Sequence, residues 1–474
     1  MADRYNIGET KTRPGVHFRR ESGNELNLTG YEDGIVAIAF RANWGPLGEV
    51  VTIENPADIA AIFGDDSVAG SYTKLLRYIF QGGATQIKAV RVGSGGTKAS
   101  ITLKDTATTA ADVVTLTAKY AGTRALTVTI KDSLSDASKR ECIVYAGTTE
   151  LCNVAFDKGS AGEVDAIVAA INASESAVVT ASKVASGNGE LASVAQATFT
   201  TAGVSPTVQN TDYDAAFALL EAVNWNVLCV DSEASAIHTL VRTFINRAND
   251  AGLMGMAVIG EPTSVSYATR KTDAAANNSE NIVYCLNGFK IGDTTYEGMD
   301  AAAVAAGLVA YTPSNSSLTH TVIQGANEVV GKLTNAQIIE CLKSGALVFT
   351  ASSSGSVWIE QGITTLVNLG DKDAGWKKIR RTRTRFELMT RVNQNCEPVI
   401  GAVDNDSNGR ATVIAIGQGV INAMIAEHKL LSGTFYEDTN NPARGDSAWF
   451  VCDVVDLDSL EHIYLTYRFH FAET

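Results

Sequence analysis

A glycine-rich stretch followed by a lysine is the first feature of the sequence that could bind a phosphate. It covers residues 325–332, with the letters GANEVVGK. A phosphate-binding loop needs four residues between its glycines and a Ser or Thr after the lysine to hold magnesium. Here five residues separate the glycines and Leu333 follows the lysine. The stretch therefore does not predict a nucleotide site.

Two further stretches resemble parts of functional loops without completing them. Residues 404–409 (DNDSNG) match the first half of a calcium-binding loop, but its twelfth position, which must supply a bidentate carboxylate, is Ala415. Residues 351–355 (ASSSG) resemble the turn that carries a catalytic serine in α/β-hydrolases, but Ala351 replaces the glycine that should begin it. We expect both stretches to be surface turns.

Histidine, cysteine and acidic side chains are the remaining candidates for catalysis. The 6 histidines include no H-E-x-x-H motif, and the 7 scattered cysteines include no C-x-x-C pair, so we predict no metal site, no disulfide framework and no cofactor. Asp231 follows a predicted buried strand, where α/β enzymes often place an acid, although acids also end strands in structural roles. Asp231 and Ser353 keep one alternative open, an α/β enzyme with a β-rich binding insert.

A run of basic side chains is the strongest charge feature. It covers residues 377–385 (KKIRRTRTR), and apolar residues at helical spacing flank and interrupt it. A solvated helix, a contact with an acidic protein and a nucleic-acid patch are the three interpretations, and the net charge of -14 argues most strongly against nucleic acid. The side chains expected to meet an acidic partner are Lys377, Lys378, Arg381 and Arg385.

The length and composition indicate a multidomain globular protein. A chain of 474 residues exceeds the roughly 250–300 residues that one hydrophobic core usually supports, so two to four domains are expected. The polar first 15 residues and the short apolar runs predict neither a signal peptide nor a membrane insertion. Cysteine usage is typical of a reducing cytoplasm.

Alternating strand and helix patterns predict an α/β core interrupted by a β-rich insert, giving a mixed α/β (α+β) fold class. Buried strands are predicted over 34–40 and 226–230. Further strands are predicted over 87–92, 101–103, 114–116, 126–130, 143–145, 256–260, 282–286, 347–349 and 357–360. Helices are predicted over 56–63, 72–80, 163–173, 213–223, 236–251, 301–310, 376–392 and 411–430. The predicted domains are an N-terminal arm (1–30), the first part of the α/β core (31–96), the insert (97–204), the second part of the core (205–345), a C-terminal α+β assembly domain (346–456) and a C-terminal arm (457–474).

Both termini are predicted to be extended arms. The first 30 residues show no helical period, and a Pro-Gly pair interrupts them. The last residues alternate apolar and polar side chains, which predicts a strand over 463–471 with one apolar face and no partner strand of its own. The arm residues expected to join neighbouring chains are Arg13, Pro14, Gly15, Val16, Phe18, Ile463, Leu465, Tyr467, Phe469 and Phe471.

Several segments, taken in their order along the chain, resemble the contractile tail sheath family of phages and R-type bacteriocins. The likeness covers residues 13–95 and 210–474 and leaves the insert aside. The segments are RPGV at 13–16, residues 34–48, IFG at 62–64, IFQGG at 79–83, VRV at 90–92, VAAGLVA at 304–310, NSSLT at 315–319 and WIEQGITTL at 358–366.

This resemblance implies a structural protein without enzymatic activity. Six subunits per ring would stack helically around an inner tube, and each subunit would lend its N- and C-terminal arms to the sheets of its neighbours. Contraction would then release energy stored at assembly. The implied partners are other copies of the chain, the inner tube protein, and baseplate and tail terminator proteins. The particle would assemble in the bacterial cytoplasm and act in the virion tail or as an extracellular particle after lysis.

The resemblance also gives the basic run a possible partner. An inner tube with an acidic surface would face Lys377, Lys378, Arg381 and Arg385 in the extended sheath, so we predict a tube contact through these four side chains.

Overall fold

In the computed structural model, residues 31–64, 68–159 and 162–470 are described, together with the backbone of two short N-terminal strands. The chain divides into two compact units. Unit 1 comprises residues 1–31 and 388–456, and unit 2 comprises residues 32–387 and 457–474. The division between them falls at 387/388 and again at 456/457. The six predicted domains remain a prediction.

The elements are numbered in chain order. The strands are β1 (Asp3–Arg4), β2 (His17–Phe18), β3 (Ile35–Phe40), β4 (Val50–Ile53), β5 (Gln86–Arg91), β6 (Lys98–Lys104), β7 (Asp112–Ala121), β8 (Thr127–Asp132), β9 (Lys139–Ala146), β10 (Thr149–Asp157), β11 (Val179–Lys183), β12 (Val194–Thr198), β13 (Val227–Val230), β14 (Met256–Gly260), β15 (Ile282–Cys285), β16 (Gly288–Ile291), β17 (Thr294–Tyr296), β18 (Ala326–Val330), β19 (Ala346–Leu347), β20 (Phe349–Ala351), β21 (Val357–Ile359), β22 (Leu430–Glu437) and β23 (Phe450–Asp456). The helices are α1 (Ile59–Phe63), α2 (Lys74–Gln81), α3 (Glu163–Ala173), α4 (Asn210–Leu220), α5 (Ser235–Asp250), α6 (Tyr267–Asn277), α7 (Met299–Tyr311), α8 (Asn335–Lys343), α9 (Ile379–Cys396) and α10 (Ser407–Ala426).

A seven-stranded sheet forms the centre of unit 2, with the strand order β19-β15-β14-β13-β3-β5-β4. Its neighbouring strands run parallel except β4, which is antiparallel to β5. All six residues of β3 are buried. Successive side chains of a strand point to opposite faces, so a strand that is apolar throughout must be covered on both sides.

Helices cover both faces of this sheet. On one face, the even-numbered side chains of β3 pack with α1, α2 and α7, and on the other the odd-numbered side chains pack with α4 and α5. At the crossing of α2 and α7, Gly82 and Gly307 bring the two backbones together. A Cβ on Gly307 would lie only 2.2 Å from the carbonyl oxygen of Ile79. This close approach explains why glycine is needed inside α7.

The insert forms two antiparallel sheets that share one apolar core. The sheets have the orders β10-β9-β8-β12 and β11-β7-β6, and buried side chains from both, together with one face of α3, form a single cluster. Inward and outward side chains alternate along β6 and β10, as expected when one face of a sheet is covered. Inside the sandwich, the Arg140 guanidinium pairs with the buried Glu163 carboxylate at 2.8 Å.

The root of the insert is tied to the central sheet by Arg91 and Trp44. The Arg91 guanidinium, at the end of β5, donates to the carbonyl oxygens of Ala42, Gly45 and Ala121 at 2.8–3.0 Å. Burial lowers the pKa of Arg91 to about 10. Trp44 is 1% exposed and packs within the core of the insert. The insert is therefore held to the core by specific contacts as well as by its chain connections.

Unit 1 is built around the long helix α10. Its side chains Val420, Ile421 and Met424 pack with Leu388 of α9 and Phe435 of the β22–β23 hairpin. The Asp406 side chain caps the helix by accepting from the backbone amide of Gly409 at 2.8 Å. By length and composition α10 could also cross a membrane. One face of it is buried within unit 1.

The structure confirms the mixed α/β architecture and the predicted elements of the core, with shifted ends. The predicted helix over 411–430 begins earlier, at Ser407, and ends at Ala426, because Asp406 supplies the cap inside the stretch predicted as a loop. The predicted helix over 376–392 begins with a 3-10 turn at Ala374–Lys377 and continues as α9. Strands β10 to β12 and β16 to β18 and helices α6 and α8 were not predicted from the sequence.

Candidate functional site

The residues predicted for the N-terminal arm lie mostly beyond what the structure describes. Arg13, Pro14, Gly15 and Val16 are outside the described residues. Phe18 belongs to β2, whose backbone pairs in parallel with β1. The role of all five in assembly remains a prediction.

The C-terminal arm carries a row of exposed apolar side chains beyond residue 462. The exposed fractions are 70% for Ile463, 92% for Tyr464, 69% for Leu465, 73% for Tyr467 and 83% for Phe469. Phe471 lies outside the described residues. Soluble monomers rarely expose a contiguous apolar row, which usually marks an interaction surface.

Of the strand predicted over 463–471, the described residues 463–470 form no strand with any other described segment. Residues 457–470 have no helix or strand. A strand requires a hydrogen-bonded neighbour, and the described residues of unit 2 supply none for this segment. The side-chain alternation is present in the sequence, but none of the sheets among the described residues includes it.

Before it becomes exposed, the arm is fastened to unit 2 through Glu461, whose side chain is only 4% exposed. One carboxylate oxygen accepts from the Thr319 hydroxyl at 2.9 Å, and the other accepts from the Gln361 amide at 3.0 Å. The Lys378 ammonium lies 3.3 Å away. Burial alone would raise the pKa of Glu461, but these hydrogen bonds and the Lys378 charge bring it below its ordinary value.

The β22–β23 hairpin in unit 1 is a candidate acceptor for an added strand. Leu430 and Phe435 on one face are buried, whereas Leu431, Tyr436 and Val455 are 62%, 42% and 51% exposed. Within the described part of unit 1, neither strand has a second neighbour. Unpaired backbone groups along a strand edge are a template for another chain.

A cavity of about 360 Å³ lies in unit 1 beside this hairpin. Its volume falls within the range of roughly 300–1,000 Å³ typical of ligand pockets. The apolar residues that line it are Val399, Ile400, Val403, Val413, Phe435 and Phe450, with Asp404 and Asp446 among the polar ones. The cavity suits an apolar or aromatic side chain better than a charged ligand.

Two of the basic side chains predicted for a tube contact are engaged within unit 2. The Arg381 guanidinium lies 2.7 Å from the Asp373 carboxylate. The Arg385 guanidinium lies 4.0 Å above the centre of the Trp376 ring and 3.5 Å from the Glu280 carboxylate. Both side chains are less than one fifth exposed. A solvated helix face would leave them in water, so that interpretation does not fit these two residues.

The other two basic side chains lie at the turn before α9. Lys378 pairs with Asp458 at 2.8 Å and with Glu461. Lys377 is half-buried and ends the 3-10 turn. A tube contact through all four residues remains a prediction, and at three of them it would compete with pairs inside the chain.

Asp231, the strongest sequence candidate for catalysis, is a saturated structural acid. Its side chain is fully buried, and its carboxylate accepts from the backbone amide and guanidinium of Arg41 at 2.7 and 2.8 Å and from the Tyr213 hydroxyl at 2.5 Å. Burial and the nearby Asp231 charge raise the pKa of Tyr213. The two strands that carry Arg41 and Asp231 are neighbours at the point where the strand order reverses, where doubly wound sheets often bind ligands. Here an internal ion pair occupies that point.

The loops that resembled functional motifs have structural roles. The stretch 325–332 contains β18, and its Lys332 pairs with Glu328 at 3.4 Å. Ser353 lies in the exposed turn between β20 and β21. In the parts of the chain that the structure describes, no group of three or more His, Cys, Asp or Glu side chains is placed to hold a metal ion.

No feature of the sequence indicated the contacts at Glu461. Its partners Thr319 and Gln361 are 142 and 100 residues away in the chain. A single acid before an apolar alternating stretch has no periodic or motif signal. The only available indication was that 315–319 and 358–366 both belong to the segments that resemble sheath proteins.

Three protein-family models of phage tail sheath domains match consecutive stretches of the chain. The tail sheath protein Gp18 domain III N-terminal region matches residues 34–92, the phage tail sheath protein beta-sandwich domain matches residues 94–204, and the phage tail sheath protein central domain matches residues 207–365. The second match covers the two-sheet insert, and the other two cover most of the central sheet.

Individual proteins are similar over most of the chain. The phage-like element PBSX protein XkdK of Bacillus subtilis is 24% identical over 77% of this chain and 75% of its own length. The crystal structure of a sheath tail protein from Desulfitobacterium hafniense has a TM-score of 0.68 and 22% identity, covering 94% of this chain and 100% of that one. The contracted helical sheath of the anti-feeding prophage has a TM-score of 0.56 and 11% identity, covering 97% of this chain and 99% of that one. At these identities the structural likeness shows a shared fold.

Proposed function

This chain belongs to the contractile tail sheath protein family, a family of structural subunits, and from that premise we propose that it polymerises as stacked hexameric rings around an inner tube. In this proposal the assembled sheath contracts and drives the tube through a target cell envelope. The similar fold of a sheath solved in its contracted state supports the contraction step. The chain contributes no catalytic step.

The observation that carries the proposal is the exposed apolar row of the C-terminal arm. Ile463, Leu465, Tyr467 and Phe469 alternate along the chain, and each is at least 69% exposed. In unit 1 the β22–β23 hairpin has open edges among its described residues. We infer that the arm of one subunit adds a strand to the hairpin of another, which is β-augmentation between copies of one chain.

The free energies of burial and ordering explain why one arm alone does not hold two subunits together stably. Burying four large apolar side chains gains roughly 6–12 kcal/mol. Ordering eight backbone residues costs roughly 8–16 kcal/mol. Hydrogen bonds of a new strand add about 0.5–1.5 kcal/mol each, so a single contact is marginal. A stable sheath therefore needs many arms in a mesh, which also lets subunits reorient without separating.

Electron microscopy of the purified protein tests the proposal. We expect the wild type to form tubes or polysheaths, and a variant lacking residues 463–474 to stay soluble and unassembled because its apolar row is gone. Removing residues 1–20 should have the same effect if the N-terminal arm also joins a neighbour.

A matched control keeps this experiment specific. Leu134 is 95% exposed in the insert, so Leu134→Ser removes one exposed apolar side chain outside the arms and should leave assembly unchanged. Polymers of normal length from the C-terminal truncation would contradict the proposal.

The proposed partners are the inner tube, baseplate and tail terminator proteins, besides other copies of the chain. We propose assembly in the bacterial cytoplasm and action in a virion tail or extracellular particle after lysis. The similarity to a phage-like element protein and to an anti-feeding prophage sheath supports this location.

The proposed tube contact of the basic segment is best tested at Lys377. Charge reversal at Lys378, Arg381 or Arg385 would also break the internal pairs described above, whereas Lys377 lies outside those pairs. If the segment faces an acidic tube, Lys377→Glu should impair assembly on tubes while leaving tube-free polysheaths intact. Normal assembly on tubes would contradict this placement.

A further inference from the structure

The root of the C-terminal arm is held by a group of polar contacts that we call the Glu461 clasp, consisting of Glu461, Ser317, Thr319, Gln361 and Lys378. Both oxygens of the buried carboxylate have partners, at 2.9–3.3 Å. The partners come from three separate segments of unit 2: the loop after α7, the residues after β21 and the turn before α9. A buried carboxylate is expensive unless it is paired and hydrogen-bonded, and here both conditions are met.

The hydroxyl groups of the clasp are oriented by the backbone. The Thr319 oxygen accepts from the Gly362 amide at 3.1 Å, and the Ser317 oxygen accepts from the Thr319 amide at 3.1 Å. These contacts occupy lone pairs and direct the Thr319 proton towards the carboxylate. The receptor for Glu461 is therefore preorganised by contacts within unit 2, independently of the arm.

Two further contacts fasten the same short stretch. Lys378 also pairs with Asp458 at 2.8 Å, and the buried Arg380 donates to the Ser459 hydroxyl at 2.8 Å. The chain is thus held at three positions within four residues. From Ile463 onward the large apolar side chains are at least 69% exposed. Within the fastened stretch Leu460 is also 81% exposed, so the polar contacts at 458, 459 and 461, and not apolar burial, hold the root.

We propose that the Glu461 clasp is the fixed joint that sets where the arm leaves the subunit and which face its side chains present to the neighbour. This inference rests on the proposed sheath function. A strand that slips by one residue moves its whole apolar set to the opposite face. Directional hydrogen bonds to one carboxylate hold the chain at one position, whereas a merely apolar root could slide. A force on the arm is also transmitted through the clasp contacts to the start of α9 and to the loop after α7.

Limited proteolysis of the soluble subunit tests the clasp directly. Glu461→Gln keeps the shape of the side chain but removes its charge, so cleavage next to the exposed Leu460 should be at least about tenfold faster than in the wild type, while cleavage within the central sheet is unchanged. Lys378→Met should have the same effect from the other side of the pair. Glu175→Gln removes an exposed carboxylate from the insert and should change neither region.

A register experiment tests the consequence for assembly. One alanine inserted between His462 and Ile463 reverses the face of the apolar row relative to the clasp and should abolish polysheaths. In a Glu461→Gln background, the same insertion should reduce polysheath formation by a smaller factor than it does in the wild type. The root of the arm is then no longer held by the clasp. An insertion that the wild type tolerates would overturn the role of the clasp in register.

The outcomes separate this inference from the proposed function. A wild type that never polymerises would contradict the sheath proposal, while proteolysis next to Leu460 would still test the clasp. An unchanged rate of cleavage in Glu461→Gln, together with normal polysheaths, would overturn the clasp and leave the sheath proposal standing.

Discussion

Two acidic side chains with similar burial, Asp231 and Glu461, have different roles in the subunit. Asp231 and Glu461 are both carboxylates withdrawn from water and saturated with hydrogen bonds. Asp231 joins neighbouring strands at the centre of the sheet, where its loss would affect folding. Glu461 joins the body of unit 2 to an arm whose described residues lie outside its apolar clusters. Burial and saturation alone therefore do not distinguish a folding role from an assembly role.

Replacing Asp231 should destabilise the subunit. Asp231→Ala removes the acceptor of the Arg41 Nε and of the Tyr213 hydroxyl, and of its contacts with residue 231 the guanidinium keeps only the one to the backbone carbonyl oxygen. Because the Arg41 side chain stays one third exposed, we expect a cost near the lower end of the range for broken buried pairs, about 3 kcal/mol. Chemical denaturation measures this loss. Asp214→Ala, on the exposed face of α4, is the control and should change stability by less than about 0.5 kcal/mol.

His238 should make the subunit sensitive to mild acid. Burial lowers its pKa from 6.5 to about 4, although its ring nitrogen lies 3.1 Å from the Ser232 carbonyl oxygen. Between these two pH values the unfolded chain binds the proton and the folded chain does not, so stability falls as the pH drops through this window. The full effect is roughly 3 kcal/mol.

Melting curves at pH 7 and pH 4.5 check this prediction. His238→Gln retains a donor for the Ser232 carbonyl but does not titrate, so its melting temperature should fall less on acidification than that of the wild type. His462→Gln removes an exposed histidine and should behave like the wild type. Equal acid sensitivity of the wild type and His238→Gln would rule out this role for His238.

At the scale of elements, the crossing of α2 and α7 fixes one layer of unit 2. Gly82 and Gly307 allow the helices to touch through their backbones, and almost all of α7 is buried. Alanine favours helices and is well suited to a buried helix that must approach closely. The Ala-rich sequence of α7 is thus explained by packing and not by a ligand.

A single methyl group at this crossing should be costly. Gly307→Ala would place its Cβ 2.2 Å from the Ile79 carbonyl oxygen, so the helices must separate. We expect a loss of about 1–3 kcal/mol despite the better helix propensity of alanine. Thermal unfolding measures it. Gly159→Ala is the control, because a Cβ there meets nothing within 4 Å; an equal effect of both substitutions would refute the packing argument.

At the scale of the whole molecule, the insert is a sandwich placed between two parts of one sheet. Its first and last residues lie side by side, since Thr97 and Val204 exchange two backbone hydrogen bonds of 3.0 Å. The arms and the β22–β23 hairpin are formed by other residues, 1–30, 457–474 and 430–456. Folding of the core and self-assembly should therefore not depend on the insert.

Excision of the insert tests this independence. Replacing residues 97–203 by a short Gly-Ser linker, together with Trp44→Ser to avoid an exposed indole, should leave a cooperatively folded core that still polymerises. Stability should decrease, because Arg91 loses its contact with the Ala121 carbonyl. Circular dichroism and electron microscopy measure folding and assembly. An unfolded variant would show that the core needs the insert.

Short-range patterns were enough to predict much of this molecule. The apolar run of β3, the Asn55-Pro56 cap before α1 and the alternation in the arm all depend on residues within a few positions of one another. Local periodicity reports which faces will be buried, because helices and strands repeat every few residues. The ordered set of sheath-like segments identified the family for the same reason, since each segment is a local sequence feature.

Only the folded chain decided the roles of the charged residues. The basic segment looked like a surface for a partner, yet Arg381 and Arg385 are used inside unit 2. Asp231 looked like a catalytic acid, yet its partner Arg41 is 190 residues away in the chain. No sequence feature distinguishes Glu461, and its partners Thr319 and Gln361 are 142 and 100 residues away in the chain. Hydrogen bonds and ion pairs join side chains that are distant in the sequence and that the fold brings together. No local sequence pattern predicts such contacts.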